Sequence, residues 1–162
     1  MPRATPVTRP GAKPGANGPR GCTNLKLKQA SRLVARHYEL EVAPTGLRNT
    51  QYSLLSHVVA LGPLRLGELA LAMRLDASTL TRNLQPLLDK GLAEVHTGDD
   101  ARSRVVQATA AGIALCVEAQ KAWKRAQLGL NQKLGSERIA ALHALLDECM
   151  GLLADDKGGS DE

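Results

Sequence analysis

The sequence predicts a mainly α fold carrying one small β-hairpin, and three observations predict it. Apolar residues recur at three- and four-residue steps through several long stretches, the spacing that lines one face of a helix. Two short apolar runs, 92–97 and 104–109, flank Gly98-Asp99-Asp100, which supply turn chemistry. There is no Phe, and only Trp123, Tyr38 and Tyr52 are aromatic, so Leu, Val and Ala must do the packing. Those residues suit helices that approach closely. With 162 residues and a hydrophobic fraction of 43%, one main domain with a sizeable core is the default.

Residues 1–21 are rich in Pro, Gly and basic side chains (Arg3, Arg9, Lys13 and Arg20) and hold no acid. Such a segment cannot build a core and reads as a disordered basic arm. The first helix is expected over 24–42, closed by Pro44 and Gly46. A second follows over 50–61, with Tyr52, Leu55, Val58 and Val59 on one side and Gly62-Pro63 after it. A short third helix covers 66–73. A fourth covers 77–90, capped by Asp76 and ended by a left-handed Gly91 with Leu92 closing the cap. After the hairpin, Thr109 caps a long helix towards Lys133, on which Cys116, Ala119, Trp123, Ala126 and Leu130 share a stripe. Ser136 caps the last helix, with Ile139, Leu142, Leu145, Leu146, Cys149 and Leu153 as its stripe. Residues 155–162 form a short acidic tail. There is no internal repeat.

The helices 66–73 and 77–90 are joined only by Arg74-Leu75-Asp76, which is the link of a helix-turn-helix. At 100° per residue, Leu80, Leu84, Leu87 and Leu88 of the second helix fall on one side. Arg82 points the opposite way, Ser78, Gln85 and Pro86 flank it, and Thr79 and Thr81 lie at the edges. A helix entering the major groove of DNA needs short donors near the phosphates and longer ones at base edges. Arg82 suits guanine and Gln85 suits adenine. An ordinary solvated face would carry Glu and Lys pairs, whereas this one has no acid before Asp89. Pro86 predicts a bend, with its ring towards the groove. Arg65 has a phosphate within reach, or is an ordinary surface residue. The hairpin then acts as a wing. Arg102 at its tip suits a minor groove, Asp100 would support the tip, and Arg104 would face the DNA backbone. The net charge of +5 fits an anionic partner and fits ordinary solubility equally well.

At these residues the chain resembles the MarR family of winged helix-turn-helix transcriptional regulators. The matching stretches are Thr50-Gln51-Tyr52-Ser53-Leu54-Leu55, then Leu69-Ala70 with Asp76-Ala77-Ser78-Thr79-Leu80-Thr81-Arg82-Asn83-Leu84, then Gly91-Leu92. The wing Asp100-Ala101-Arg102-Ser103-Arg104 and Thr109-Ala110-Ala111-Gly112 complete the likeness, with Ala108 where a larger aliphatic residue is usual. The resemblance covers 22–154. It implies dimerisation helices at about 24–42 and 110–153, around a winged helix-turn-helix at about 48–109. The implied protein is a homodimeric repressor on a palindromic double-stranded operator, with half-sites roughly 34–36 Å apart. The apolar stripes of the terminal helices, too long for one small winged helix to cover, fit a twofold partner independently. Release by a small aromatic acid or another small effector is implied as well. Its cleft would be lined by Tyr52, Leu55, Ser56 and His57 with His37 and Tyr38, though ordinary packing accounts for each of these too.

Cys22 opens a second reading. It stands at the start of the first helix near Lys26 and Lys28, where a thiolate is favoured, with Tyr38 and Tyr52 as candidate phenol partners. An oxidant-sensing regulator would use it. Cys116 and Cys149 read as core. Three widely spaced cysteines suggest no disulfide framework and a reducing cytoplasm. His37 and Glu41 lie one turn apart, but no third ligand is placed, so neither metal nor cofactor is expected. No nucleophile-base pattern or phosphate-binding Gly-rich loop points to an enzyme. A winged-helix protein-docking module is the remaining alternative.

Overall fold

The computed structural model describes residues 21–98 and 103–155, the side chain of Asp155 excepted. The basic arm, most of the acidic tail, and the wing tip with Asp100 and Arg102 lie outside the described residues. Among the described residues nine elements follow in chain order, α1 (Thr23–Val42), α2 (Asn49–Leu61), β1 (Leu64–Arg65), α3 (Leu66–Ala72), α4 (Ala77–Asp89), β2 (Ala93–Thr97), β3 (Arg104–Ala108), α5 (Ala110–Leu134) and α6 (Ser136–Asp155), with β1 the addition to what the sequence suggested. A 3-10 turn, Ala43–Thr45, leads from α1 to a left-handed Gly46.

The wing is a three-stranded antiparallel sheet in the order β1-β3-β2. Leu64 pairs with Val106 and Arg65 with Val105, while Val95 faces Val106 from the other side. β1 is two residues long and has no alternation to detect. The hairpin expectation is therefore extended by one strand, which anchors the start of α3 to the wing.

The core sits where α2, α3, α4 and the sheet meet the middle of α5. Val42, Leu47, Leu54, Leu55, Val58, Leu69, Leu80, Leu84, Leu87 and Val106 are almost fully buried. The apolar face expected on α4 is the buried face. Cys116, Ala119, Ala122 and Ala126 give α5 a narrow buried stripe, on which α1 packs.

The end of α4 carries the expected cap. Gly91 takes φ 65°, its N–H donates to Leu88 O at 2.9 Å, and Leu92 N–H donates to Leu87 O at 2.9 Å. The same loop is tied to the next helix. Thr109 Oγ1 donates to Gly91 O at 2.7 Å and accepts from Gly112 N at 3.0 Å, while Thr109 N donates to Leu92 O at 3.2 Å. Gly112 packs so tightly here that an added Cβ would lie 1.9 Å from the Leu92 carbonyl oxygen. Gly112→Ala is expected to destabilise the fold by about 1–3 kcal/mol, because backbone must move to admit the methyl. A lower urea midpoint with unchanged slope checks it.

The turn between α3 and α4 shows the same cap without glycine. Arg74 adopts φ 52°, its N–H donates to Leu71 O at 3.0 Å, and Leu75 N–H donates to Ala70 O at 2.9 Å. α6 departs from the reading in one respect. Only Ile139 on it is buried, and Cys149, read as core, is exposed. The reason is that α6 packs chiefly on α5, and nothing among the described residues covers its outer stripe. Gly135, φ 84°, separates the two helices, and Ser136 is the first residue of α6 rather than its cap. Among the described residues, no helix is long and apolar enough to cross a membrane.

Candidate nucleic-acid interface

α4 presents its polar face to solvent as its sequence requires. Asp76, the N-cap, accepts Thr79 N–H at 2.8 Å and the hydroxyls of Ser78 at 2.6 Å and Thr79 at 2.7 Å. These hydrogen bonds, the Ser78 hydroxyl foremost, hold the Asp76 carboxyl well below the usual carboxylate range. The expected donors are thus already engaged. Ser78 and Thr79 give their protons to Asp76, and Thr81 gives its proton to Ala77 O at 2.8 Å. What they turn outward is hydroxyl oxygen, and a phosphate would have to compete for the protons.

The Asp76 contacts make a prediction with a definite sign. A depressed folded pKa contributes stability above the ordinary carboxylate pKa of about 3.9, and that contribution fades as pH falls through the folded value. Wild type should therefore melt above Asp76→Ala at neutral pH, and the gap should shrink in acid. Melting curves on both proteins across this range check it.

Arg82 is exposed, and its only hydrogen bond among the described residues is a long one, Nε to Ser78 O at 3.4 Å. The two terminal guanidinium nitrogens make no bond among the described residues, so a bidentate contact is open to them. Gln85 donates one amide hydrogen to Asp89 at 2.7 Å, which fixes the side chain along the helix and leaves its oxygen and second hydrogen without a partner among the described residues. Pro86 is accommodated within α4 and half-buried. It lines a depression with Gly46, Leu47 and Lys90, and Lys90 Nζ donates to Gly46 O at 2.9 Å.

Arg65 and Arg104 come together although 39 positions separate them (104 minus 65). β1 lies beside β3, and both arginines line one exposed depression with Leu66, Glu68 and Ser103. Their pairing needed β1, which the sequence did not reveal. The sheet's outer face carries Glu94, held low by hydrogen bonds from Gln107 and His96.

A cleft of about 720 Å³ opens between α1, α2 and α5. Tyr38, Tyr52, Ser56 and His57 line it, as expected. Leu55 does not; it is fully buried beneath, because its face of α2 points to the core. His37 does not either. It faces α5, where Nε2–H donates to Ala126 O at 2.8 Å and Lys133 Nζ approaches Nδ1 at 3.4 Å. Trp123, Asn49 and Ser53 also line the cleft and were missed. A signal existed: Asn49, Ser53, Ser56, His57 and Ala60 recur at helical spacing on α2, beside the apolar face. Tyr38 donates its hydroxyl to Gln127 and stacks on Trp123, with ring centroids 6.2 Å apart. Burial raises the pKa of both Tyr38 and Tyr52, so both stay protonated.

Cys22 is exposed and caps α1 by accepting Leu25 N–H at 3.4 Å. Tyr38 lies 16 residues further along that helix, about 24 Å at 1.5 Å per residue. Within one chain the Tyr38 phenol therefore stands away from the thiol. Glu41 pairs with Arg125 at 3.2 Å instead of joining His37 in a ligand set. Among the described residues no group of three metal-ligating side chains converges.

The model of the MarR family matches residues 45–103. In M. tuberculosis, the transcriptional regulator MosR, solved in complex with DNA, is 30% identical. The likeness covers 82% of this chain and 98% of that one, with a TM-score of 0.71. The transcriptional repressor CouR, bound to a DNA duplex, is 25% identical over 79% of this chain and 92% of that one, with a TM-score of 0.72. Among curated proteins, the uncharacterised HTH-type transcriptional regulator YwoH of Bacillus subtilis is 29% identical over 84 residues. That match spans 52% of this chain and 61% of YwoH. With the helix pair, the sheet that braces it and a relative matched over nearly its whole length, this chain belongs to the MarR family of winged-helix transcriptional regulators.

Proposed function

We propose that the protein binds double-stranded DNA sequence-specifically, as a cytoplasmic homodimer on a palindromic operator, and represses transcription until a small effector releases it. The observation that carries the DNA reading is the exposed face of α4, where Arg82 stands with its terminal nitrogens unengaged. Ser78, Thr79, Thr81 and Gln85 surround it, and Arg65 and Arg104 lie on the adjoining sheet. The wing residues Arg102 and Asp100 would extend this surface. MosR and CouR, solved with DNA, support it by likeness. A dimer is supported by the uncovered apolar stripe of α6. Release is supported by the cleft, which lies between the terminal helices and the reading unit. A ligand favouring a spacing of the two α4 helices that DNA does not accept must weaken DNA binding by the same coupling energy.

Duplex titration by fluorescence anisotropy tests this. The logarithm of affinity should fall linearly with the logarithm of salt, by about 0.9 per phosphate contact. An operator found by selection from random duplexes should bind at least about a thousandfold tighter than bulk DNA. No duplex binding at low salt would overturn the reading and leave the protein-docking alternative.

A further inference from the structure

We propose that the three hydroxyls of α4 read base amino groups rather than phosphates, so that each half-site presents adenine or cytosine, not guanine or thymine, to that face of the helix. The proposal rests on the DNA reading above. It adds the class of base chosen, and it makes Asp76 the positioning residue that sets the choice.

A free hydroxyl serves donor and acceptor bases alike, because its proton can turn either way. None of the three on α4 is free to turn. An ionised carboxylate and a carbonyl only accept. Ser78 therefore donates to Asp76 Oδ1 at 2.6 Å, Thr79 to Asp76 Oδ2 at 2.7 Å, and Thr81 to Ala77 O at 2.8 Å. Each oxygen keeps only lone pairs for the groove.

Charge acts in the same direction. The first turn of a helix ordinarily offers an anion roughly half a positive charge and unpaired amides. On α4, Asp76 adds a full negative charge to that end and takes the Thr79 N–H at 2.8 Å. The Ala77 and Ser78 amides share this turn with the carboxylate. A phosphate brought here meets an anion, whereas a base amino group meets acceptors. Cations suited to phosphate stand elsewhere: Arg65 and Arg104 on the sheet, and Lys90 beyond the far end of α4. The other side-chain donors of the helix are Arg82, one hydrogen of Gln85, and the Asn83 amide, about 100° round the axis from Arg82.

In the major groove adenine presents its N6 amino group and cytosine its N4, while guanine and thymine present keto oxygens. A keto oxygen set against hydroxyl lone pairs forms no bond. Ser78 precedes Arg82 by about one turn, roughly 6 Å along the axis. The base it reads therefore lies within about two base pairs of the guanine suited to Arg82, at about 3.4 Å per step.

Selection of binding sites from random duplexes by the full chain tests this, with Asp76→Asn and Ser78→Ala run beside wild type. Asparagine caps a helix as well as aspartate and keeps an oxygen for the Thr79 N–H. Its amide nitrogen donates, however, which turns a hydroxyl proton outward, and it removes the charge. Wild type should prefer adenine or cytosine over guanine and thymine at least about fivefold at one position in that window, measured from the position that Arg82→Ala relaxes. Asp76→Asn should admit the keto bases there. Ser78→Ala, at an exposed position, should also erode the preference, and it covers any misfolding of the asparagine variant. A purely structural cap would lower affinity for every site alike, so an unchanged preference in both folded variants overturns the proposal. A selective operator with no amino preference in the window overturns it too and leaves the DNA reading intact. Binding of no duplex, or binding without choice of sequence, overturns the DNA reading and this inference with it.

Discussion

Replacing Arg82 by Ala is expected to weaken operator binding by about 1–3 kcal/mol per contact, roughly five- to 150-fold, and to relax the choice of base at one position in each half-site. The reason lies in the geometry of α4. Leu80, Leu84 and Leu87 fix the helix to the core, so its outer face has a defined direction. The hydroxyls of the first turn are engaged by Asp76, which leaves Arg82 as the one long cation of that face. Arg82 is fully on the surface, so its loss should not alter folding, and an unchanged melting curve is the control. Arg104→Ala should weaken binding by a similar amount across all sequences, because a contact to phosphate carries no base information. Binding-site selection with each variant separates the two outcomes. An Arg82→Ala protein with unchanged affinity and unchanged site preference would remove α4 as the reading element.

The second large effect concerns α6. Leu142, Leu145, Leu152 and Leu153 are 43%, 58%, 65% and 70% exposed on a helix whose main contact is α5. Exposed leucines one at a time are normal, but a run of them along one helix marks a surface made for a partner. In the proposed dimer a second copy, applied about a twofold axis, would meet the stripe with its own. Leu142→Glu combined with Leu145→Glu is expected to give a monomer by sedimentation. Its affinity for the operator should drop by about 100-fold or more, because the second half-site no longer binds at high effective concentration. Helical content should hold, since neither leucine contributes to the core of its own chain. A variant that stays dimeric and binds as wild type would move the interface elsewhere.

Much of the architecture was legible because it depends on local chemistry. The α4 boundaries follow from Asp76 at one end and Gly91 at the other, and each does in the structure what its side chain, or lack of one, demands. Thr109 before α5 is a case of the same kind. The Arg74 turn was placed correctly, but its left-handed backbone had no glycine or asparagine to announce it; the packing of α3 against α4 imposes it. β1 escaped notice because two residues carry no period, and only the antiparallel neighbour Val105-Val106 defines it. The companionship of Arg65 and Arg104 went with it.

The cleft was half legible. Tyr38, Tyr52, Ser56 and His57 line one cleft. His37 and Leu55 differ because one helical step, 100°, moves a side chain from the cleft to the neighbouring helix or into the core. Neither adjacency in sequence nor polarity distinguishes those faces. Cys149 illustrates the reverse error: a cysteine on an apolar stripe is core only if something within the chain covers the stripe.

The knot at Gly91, Leu92, Thr109 and Gly112 has a mechanical consequence. It splices the far end of α4 to the near end of α5, the longest helix among the described residues, with no slack between them. Such a splice acts as a crank. In the proposed twofold pair, a small pivot of the long shafts would swing the two α4 helices apart or together, and a wedge lodged near the pivot would hold them off the spacing of successive grooves without touching either helix.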